Sequence, residues 1–307
     1  MKKCKIIGMM ALLLTFAMMS LGSGSDSSSQ KEIVYGGPTD GETTQENSDT
    51  GSDENSEAEA AITIEEQVLF EQDGLRVTAT EYVTDSILGD GIKLLIENES
   101  DKDIGIGLNA LIVNNYMITD LFSTTVAAGM KDYETVNLSS SELEAAGIEN
   151  VGQIELFFRT YDADSYSTIS NLECVTVHTS AYDTMDVSVN DAGQELYNEN
   201  GIRIVGKYVD EDSFWGASVL LYIENTSGKN VYIHCDDMSI NGFMVTPMFS
   251  CLVYDGKMAI DEIDLLSSEL EENNIMSVEN IELKFRITDE NFSNSVETDT
   301  ITFSVQQ

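Results

Sequence analysis

The sequence predicts an all-β protein made of two tandem immunoglobulin-like β-sandwich domains, each with one short helix between strands. Three observations support this prediction: an internal duplication, apolar residues at alternate positions, and turn-forming dipeptides between the alternating segments. Residues 74–162 align without a gap on residues 201–289, at a constant spacing of 127 residues. A unit of this length is a whole domain rather than one turn of a solenoid.

The duplication sets the expected domain boundaries. Residues 94–100 (LLIENES) return as residues 221–227 (LYIENTS). We place repeat 1 at residues 62–179 and repeat 2 at residues 180–307. Because each copy carries a complete hydrophobic pattern, two sandwiches are favoured over one continuous barrel.

Strands are predicted wherever apolar and polar residues alternate, as from Leu75, from Ile154 and from Ile281. Such alternation is typical of strands with one buried and one solvated face. Asn, Asp and Gly tolerate the positive φ of tight turns, so turns are predicted at five dipeptides. They are Asp73-Gly74, Asp90-Gly91, Asn114-Asn115, Asn200-Gly201 and Asn241-Gly242.

One short helix per repeat is predicted from capping-box spacing, in which a Ser precedes a Glu by three residues. Ser141 and Glu144 have this spacing in repeat 1, and Ser268 and Glu271 have it in repeat 2. Gly147 would end the first helix, because glycine adopts the left-handed conformation at helix ends.

Residues 1–22 are expected to be a signal peptide, because lysines precede an apolar run at 6–19 that is shorter than the ~20 residues of a membrane span. The alternative is a buried helix. Residues 23–61 are predicted to be a disordered acidic spacer rich in Ser and Gly. It resembles the tether of Gram-positive lipoproteins, but Ser23 or Ser25 stands where the lipid-bearing cysteine would be. We therefore expect a secreted or cell-surface protein with no stable membrane span after leader cleavage.

The formal net charge is −40 at pH 7. This excess of acid disfavours nucleic acid and anionic lipid as partners, since both are bound through Lys and Arg. Cationic partners remain compatible with it, and so does the simpler interpretation that the charge keeps an exported protein soluble.

Three cysteines lie beyond the leader: Cys174, Cys235 and Cys251. An odd number implies no disulfide scaffold, and we expect three free, mostly buried thiols. Idealised pairing around the Asn241-Gly242 turn puts Cys251 opposite Tyr232, on the other face of the sheet from Cys235.

No catalytic residues and no cofactor are expected. His178 and His234 have no equivalents in the other repeat, and Cys235, next to His234 on a strand, would point to the opposite face. The sequence contains no zinc-ligand cluster and no phosphate-binding glycine motif. Calcium is the only metal considered, at Asp162 and Asp164 and at the equivalent Asp289 and Glu290, with solvated turns as the favoured alternative.

The four arginines, Arg76, Arg159, Arg203 and Arg286, form two repeat-equivalent pairs on predicted outward faces. Glu155 shares its face with Arg159, and Glu282 shares its face with Arg286. This favours cross-strand Arg–carboxylate pairing as a structural role. The alternative is a patch at Arg159 and Arg286 that binds carboxylate or phosphate.

Two aromatic residues lie where exposure is expected: Phe157 on an outward face and Trp215 in a loop of repeat 2. They would either bind a sugar or protein partner or pack between the two domains, and packing is slightly favoured.

A family resemblance follows from residues 241–245 (NGFMV), Phe249-Ser250, Gly256-Lys257 and residues 266–271 (LSSELE). These segments resemble the telokin-like, immunoglobulin-type domains of Gram-positive exported proteins and lipoproteins. The resemblance covers both repeats. It implies a sandwich fold and an envelope location, and it carries no catalytic residues.

The expected function is a non-catalytic binding or display module at the bacterial cell envelope. Its partner would be an unknown envelope protein or glycan, and the chain is expected to be a monomer. A structural spacer would instead have a featureless surface, and an enzyme would need a polar cleft shared between the domains. Specific function is expected where the two copies differ.

Overall fold

A computed structural model describes residues 61–85, 89–213 and 215–304. The predicted leader and spacer lie outside these residues, except for Ala61 at the end of the spacer. Everything below refers to the described residues. Neither of their α-helices is long and apolar enough to cross a membrane.

Repeat 1 is formed by strands and one short α-helix. In chain order they are β1 (Gln67–Gln72), β2 (Leu75–Asp85), β3 (Gly89–Asn98), β4 (Ile104–Val113), β5 (Tyr116–Ile118), β6 (Ser123–Val126), β7 (Lys131–Asn137), α1 (Ser140–Ala146), β8 (Gln153–Asp162), β9 (Thr168–Asn171) and β10 (Val175–His178).

Repeat 2 follows a short 3₁₀ turn at Tyr182–Thr184 and has the same order of elements. They are β11 (Gln194–Glu199), β12 (Ile202–Ser213), β13 (Gly216–Asn225), β14 (Val231–Ile240), β15 (Phe243–Val245), β16 (Ser250–Val253), β17 (Met258–Leu266), α2 (Ser267–Glu272), β18 (Asn280–Asp289), β19 (Ser295–Glu297) and β20 (Ile301–Ser304).

The strands form three sheets, and the middle sheet belongs to both repeats. The first sheet has the order β1-β2-β3-β7, the ten-stranded sheet runs from β10 to β11 through β5 and β17, and the third is built on β14 and β18. Each repeat has an apolar core, and the core of repeat 2 also includes Ala110, Ile112 and Met117 of repeat 1. The predicted all-β class and sandwich arrangement are confirmed.

The shared sheet was not predicted. It exists because β5 of repeat 1 lies parallel to β17 of repeat 2, with Tyr116 opposite Met258 and Met117 opposite Ala259. The prediction assumed two separate sandwiches. The alternation of apolar and polar residues within a repeat does not indicate which edge strands of the two repeats pair.

Most of the predicted turns are confirmed. Asp73, Asn114, Asn200 and Asn241 have positive φ between 45° and 55°. The turn at Asp90-Gly91 is wrong, because both residues lie inside β3 and Gly91 pairs with Val83 on β2 and Asn137 on β7.

The predicted helix caps are displaced. The N-cap of α1 is Ser139, whose hydroxyl accepts a hydrogen bond from the Glu142 N–H, so Ser141 and Glu144 are not the capping pair. The N-cap of α2 is Leu266, with no side-chain cap, so Ser268 and Glu271 do not form one either. Gly147 ends α1 in the left-handed conformation at φ 75°, as predicted.

A buried asparagine explains why the motif at 94–100 and 221–227 is shared. Asn98 donates to the carbonyls of Lys102 and Val126, both at 2.8 Å, and accepts from Ser100. Asn225 makes the equivalent set of contacts in repeat 2. Because the polar atoms of the amide are hydrogen-bonded, the asparagine joins β3, β6 and the loop between β3 and β4, and these bonds offset the cost of its burial.

The expected register around the Asn241-Gly242 turn holds for β15, where Met238 lies opposite Val245, but it is displaced by one residue at β16. Cys251 lies opposite Ile233, not Tyr232. A one-residue shift reverses the face of every side chain, so Cys251 and Cys235 both point into the core of repeat 2. All three thiols are free; Cys235 and Cys251 are buried, and Cys174 is exposed.

Candidate ligand cleft between the repeats

The outer face of β13 is covered by repeat 1. Leu220 and Tyr222 on this strand, and Ile260 on β17, pack with Tyr116 and Ala145 of repeat 1 in one buried cluster. The helix α1 therefore lies against the sheet of the neighbouring repeat. This face of β13 therefore contacts apolar side chains instead of water.

The sequence indicates this buried face, although the alternation of apolar and polar residues within one repeat does not. Residues 219–223 (VLLYI) form a continuous apolar run, which is typical of a strand buried on both faces. The equivalent segment of β3 has Lys93 where β13 has Leu220, and Tyr133 on β7 takes the place of Ile260. Comparing the copies position by position would have identified the covered face.

Polar and aromatic contacts reinforce the junction. The Lys257 Nζ of repeat 2 lies 3.0 Å from Glu155 Oε2 and 3.1 Å from Asn115 Oδ1 of repeat 1. Phe157 packs edge-on against Tyr254, with 5.3 Å between ring centroids.

A cleft of about 310 Å³ opens beside this junction. It is lined by both repeats, with apolar side chains and with hydroxyl, amide and carboxyl groups. Its lining residues are Leu108, Asn109, Ala110, Met117, Ile118, Thr119, Asp120, Ser250, Cys251, Leu252, Ile260 and Asp261.

Thr119 is held at the cleft by the fully buried Glu142 of α1. The Thr119 N–H donates to Glu142 Oε2 at 2.7 Å, and its hydroxyl donates to Glu142 Oε1 at 2.5 Å. The same hydroxyl lies 3.3 Å from Asp261 Oδ1 of repeat 2. We call the contact between Thr119 and Glu142 the junction clamp.

The carboxyl groups of the cleft are desolvated. Burial raises the pKa of Glu142 well above its ordinary range, and the neighbouring Asp261 adds to the effect. Burial also raises the pKa of Asp261 and Asp120, although the Phe122 N–H and Arg159 oppose the rise at Asp120. Burial raises the pKa of the Cys251 thiol, so it is a poor nucleophile.

Repeat 2 contains the same clamp in another environment. The Thr246 N–H and hydroxyl contact the two carboxyl oxygens of Glu269 at 2.9 and 3.2 Å. These contacts are exposed, because nothing in the described residues covers α2 as repeat 2 covers α1. We call this contact the outer clamp.

The loops proposed for calcium use their carboxylates internally. Asp162 accepts from the N–H and hydroxyl of Ser165, which lowers its pKa. Asn294 and Ser293 contact Asp289 and lower its pKa to about 2.

The other two calcium candidates also lie at the surface. Glu290 accepts from Asn230 at 2.9 Å, and Asp164 is exposed. Within the described residues, no group of three or more His, Cys, Asp or Glu is arranged to hold a metal ion.

Cross-strand pairing holds for three of the arginines. Arg76 pairs with Glu97. Arg203 pairs with Glu195 and Asp191. Arg286 makes a two-point contact with Asp236.

Arg159 does not pair with the predicted Glu155, which contacts Lys257 instead. It lies over the Tyr161 ring, 5.7 Å from its centroid. Glu282 lies 3.5 Å from the Ser239 hydroxyl. Arg159 and Arg286 lie on different repeats, and neither of them lines the cleft.

The two aromatic candidates occupy different surroundings. Phe157 lies at the junction, so of the two expected placements it takes the one between the repeats. Trp215 is in the turn between β12 and β13 and is 49% exposed.

The histidines are surrounded by aromatic rings. His178 stacks on Tyr182 at 3.7 Å, and His234 lies beside Tyr232 and Phe292. Burial, with a smaller contribution from Arg286, lowers the pKa of His234. Its neighbour Cys235 points into the core, where burial raises the thiol pKa to about 12.

No family model and no curated protein matches this chain. Solved structures that resemble it include a complex of the SafA pilin of Salmonella enterica with the SafB chaperone, with 10% identity and a TM-score of 0.23 over 77% of this chain and 98% of that one. Another is a protein of unknown function from Porphyromonas gingivalis W83, with 8% identity and a TM-score of 0.20 over 70% and 91% of the two chains. Similarity this low carries no functional inference.

Proposed function

We propose that this chain is a non-catalytic binding module exported to the bacterial cell envelope, and that its ligand group enters the cleft between the repeats. The leader-like segment at 1–22 and the resemblance to telokin-like Gram-positive domains support the location. The observation that carries the binding role is the cleft itself, which is lined by both repeats and combines apolar side chains with polar groups.

The size and chemistry of the cleft favour a small ligand group. Its volume of about 310 Å³ lies at the lower end of the range for small-molecule sites, roughly 300–1,000 Å³. Asp120 and Asp261 supply acceptors, and none of the described lining residues is basic. An ammonium group beside an apolar stem would therefore pair with the carboxyls and cover Leu108 and Met117.

An ammonium group can come from a basic side chain of a protein or from an amino sugar of a glycan. Binding of lysine amide and of glucosamine, measured by chemical-shift titration of the chain without its leader, separates the two sources. Their acetylated forms, Nε-acetyl-lysine amide and N-acetylglucosamine, keep the rest of the molecule, lose the charge and are larger by one acetyl group. We expect saturable binding of at least one amine and at least tenfold weaker binding of its acetylated form.

Two variants test whether the ligand binds in the cleft, and each has a matched control outside the cleft lining. Ser250→Trp places a large side chain in the cleft from an exposed strand position, and Ser123→Trp places it at the equivalent position of repeat 1. Asp120→Asn keeps the acceptor for the Phe122 N–H and removes the charge. Asp103→Asn is its control, because Asp103 accepts the Ala128 N–H at an exposed site outside the lining. Equal binding by all four variants, or no binding by any probe, contradicts the proposal.

A structural spacer is the second candidate. The continuous sheet and the buried cluster at the junction support it, because they join the two repeats over a broad contact. Such a spacer would keep its function in the Ser250→Trp variant.

A further inference from the structure

The Thr119 hydroxyl lies between two carboxyl groups and carries one hydrogen. It donates that hydrogen to Glu142, where the distance is 2.5 Å. Its contact with Asp261 then brings lone pairs of two oxygens together at 3.3 Å, unless the Asp261 carboxyl carries a proton and donates it. One hydroxyl hydrogen thus faces two carboxyl groups, and a proton held by the carboxyls supplies the second donor at this contact.

The charges around the clamp do not replace that proton. The titratable groups that face it come from α1, from β17, from β16 and from the loop after β5. They are Glu142, Asp261, Glu262, Cys251 and Asp120. Arg159 on β8 is a base that acts on Asp120.

We infer that Glu142 and Asp261 share one proton across the repeat junction, and that an ammonium group entering the cleft displaces it. The ligand part of this inference rests on the proposed function, and the proton does not. Without a ligand, loss of the proton leaves two carboxylates on one hydroxyl and weakens the contact between α1 and β17. With an ammonium group beside Asp261, the positive charge of the ligand replaces the charge of the proton.

The ligand-free test is thermal unfolding of the wild type, Glu142→Gln and Glu269→Gln between pH 5 and pH 9. Glutamine at 142 cannot ionise. Its Oε1 can accept from the Thr119 N–H, and its Nε2 can donate to the Thr119 hydroxyl, whose own hydrogen then faces Asp261. A carboxyl with a raised pKa stabilises the fold below its unfolded pKa near 4.5, and this stabilisation is lost as pH rises through the folded pKa. We expect the wild type to lose about 3 °C or more relative to Glu142→Gln as pH rises.

Glu269→Gln makes the same substitution at the exposed outer clamp and is the matched control. If Glu142→Gln does not fold, Asp261→Asn removes the other acid and should abolish the same pH dependence. Identical pH profiles for the wild type and either junction variant would overturn the shared proton.

The ligand test is calorimetric titration with the amine that binds, at pH 7, in buffers of different ionisation enthalpy. We expect the wild type to release up to one proton per ligand bound, and Glu142→Gln to release less. Binding without proton release overturns the displacement. A missing binding signal, together with the pH profile above, removes the proposed function and leaves the shared proton standing.

Discussion

The outer faces of β3 and β13 occupy the same place in two copies of one domain, and only one of them is buried. On β3, Lys93 is partly exposed and pairs with Glu81, whereas on β13 the equivalent Leu220 is completely buried under α1 of repeat 1. The residues that join the two repeats therefore include positions at which β13 differs from its copy. Ile260, on the covered face, also lines the cleft.

The junction clamp and the outer clamp have the same contacts but different surroundings. Glu142 and Glu269 hold equivalent threonines through equivalent contacts. Only the junction clamp lies against an acid of the other repeat, and its carboxyl is buried. At the junction clamp, burial raises the pKa of Glu142, because desolvation disfavours the charged form.

The largest effect is expected from making the junction face of repeat 2 resemble that of repeat 1. Leu220→Lys buries a charge among Tyr116, Tyr222 and Ile260 and should cost about 4 kcal/mol of unfolding free energy. Lys93→Leu is the matched control and should change stability by less than about 0.5 kcal/mol. Urea unfolding measures both, and equal costs would show that the two faces are not different in the folded chain.

Replacing the shared asparagines tests what the copies have in common. Asn98→Ala and Asn225→Ala each leave buried carbonyls without a donor and should cost about 3 kcal/mol. Circular dichroism melting of the two variants measures this. A loss confined to one repeat would contradict the structural role assigned to the motif.

A smaller effect, dependent on pH, is expected at Asp264, where repeat 1 has Asn137. Burial, with Glu262 and Asp261, raises the pKa of Asp264 from 3.8 to about 6. The stabilisation is present below pH 3.8 and is lost as pH rises through about 6. Asp264 is partly exposed, so after allowance for solvent screening Asp264→Asn should gain about 1 kcal/mol at pH 7 and nothing at pH 4. Denaturant unfolding at the two pH values checks this.

The smallest effects are expected at the surface arginines. Arg286→Ala breaks a two-point contact with Asp236 and should cost about 0.5–1 kcal/mol. Arg159→Ala, at the equivalent position, removes a contact with the Tyr161 ring and should cost less than about 0.5 kcal/mol. Melting curves compare them, and a larger loss for Arg159→Ala would reverse the assignment.

Much of the fold follows from the sequence because its causes are local. Alternation from Leu75 and from Ile281 predicts strands, and Asn114-Asn115 and Asn241-Gly242 predict turns, since these depend on neighbouring residues only. Asp90-Gly91 fails because strand pairing on both sides outweighs the turn preference of the dipeptide.

The candidate site could not be predicted in the same way. Thr119 and Asp261 are far apart in the chain, and their proximity depends on which edge of repeat 1 meets which edge of repeat 2. Only the apolar run at 219–223, compared with its copy, indicated that a face was covered. The chemistry of the cleft therefore depends on how the repeats pack, which periodicity within a repeat does not encode.

The pairing of β5 with β17 also sets an order for folding. Repeat 1 can complete its own core before residues 180–307 are available, because that core draws on its own strands. Repeat 2 cannot bury Leu220, Tyr222 and Ile260 until α1 and β5 are in place. A chain that is synthesised from its N-terminus therefore forms the covering surface first, which shortens the time for which the apolar face of repeat 2 is exposed to aggregation.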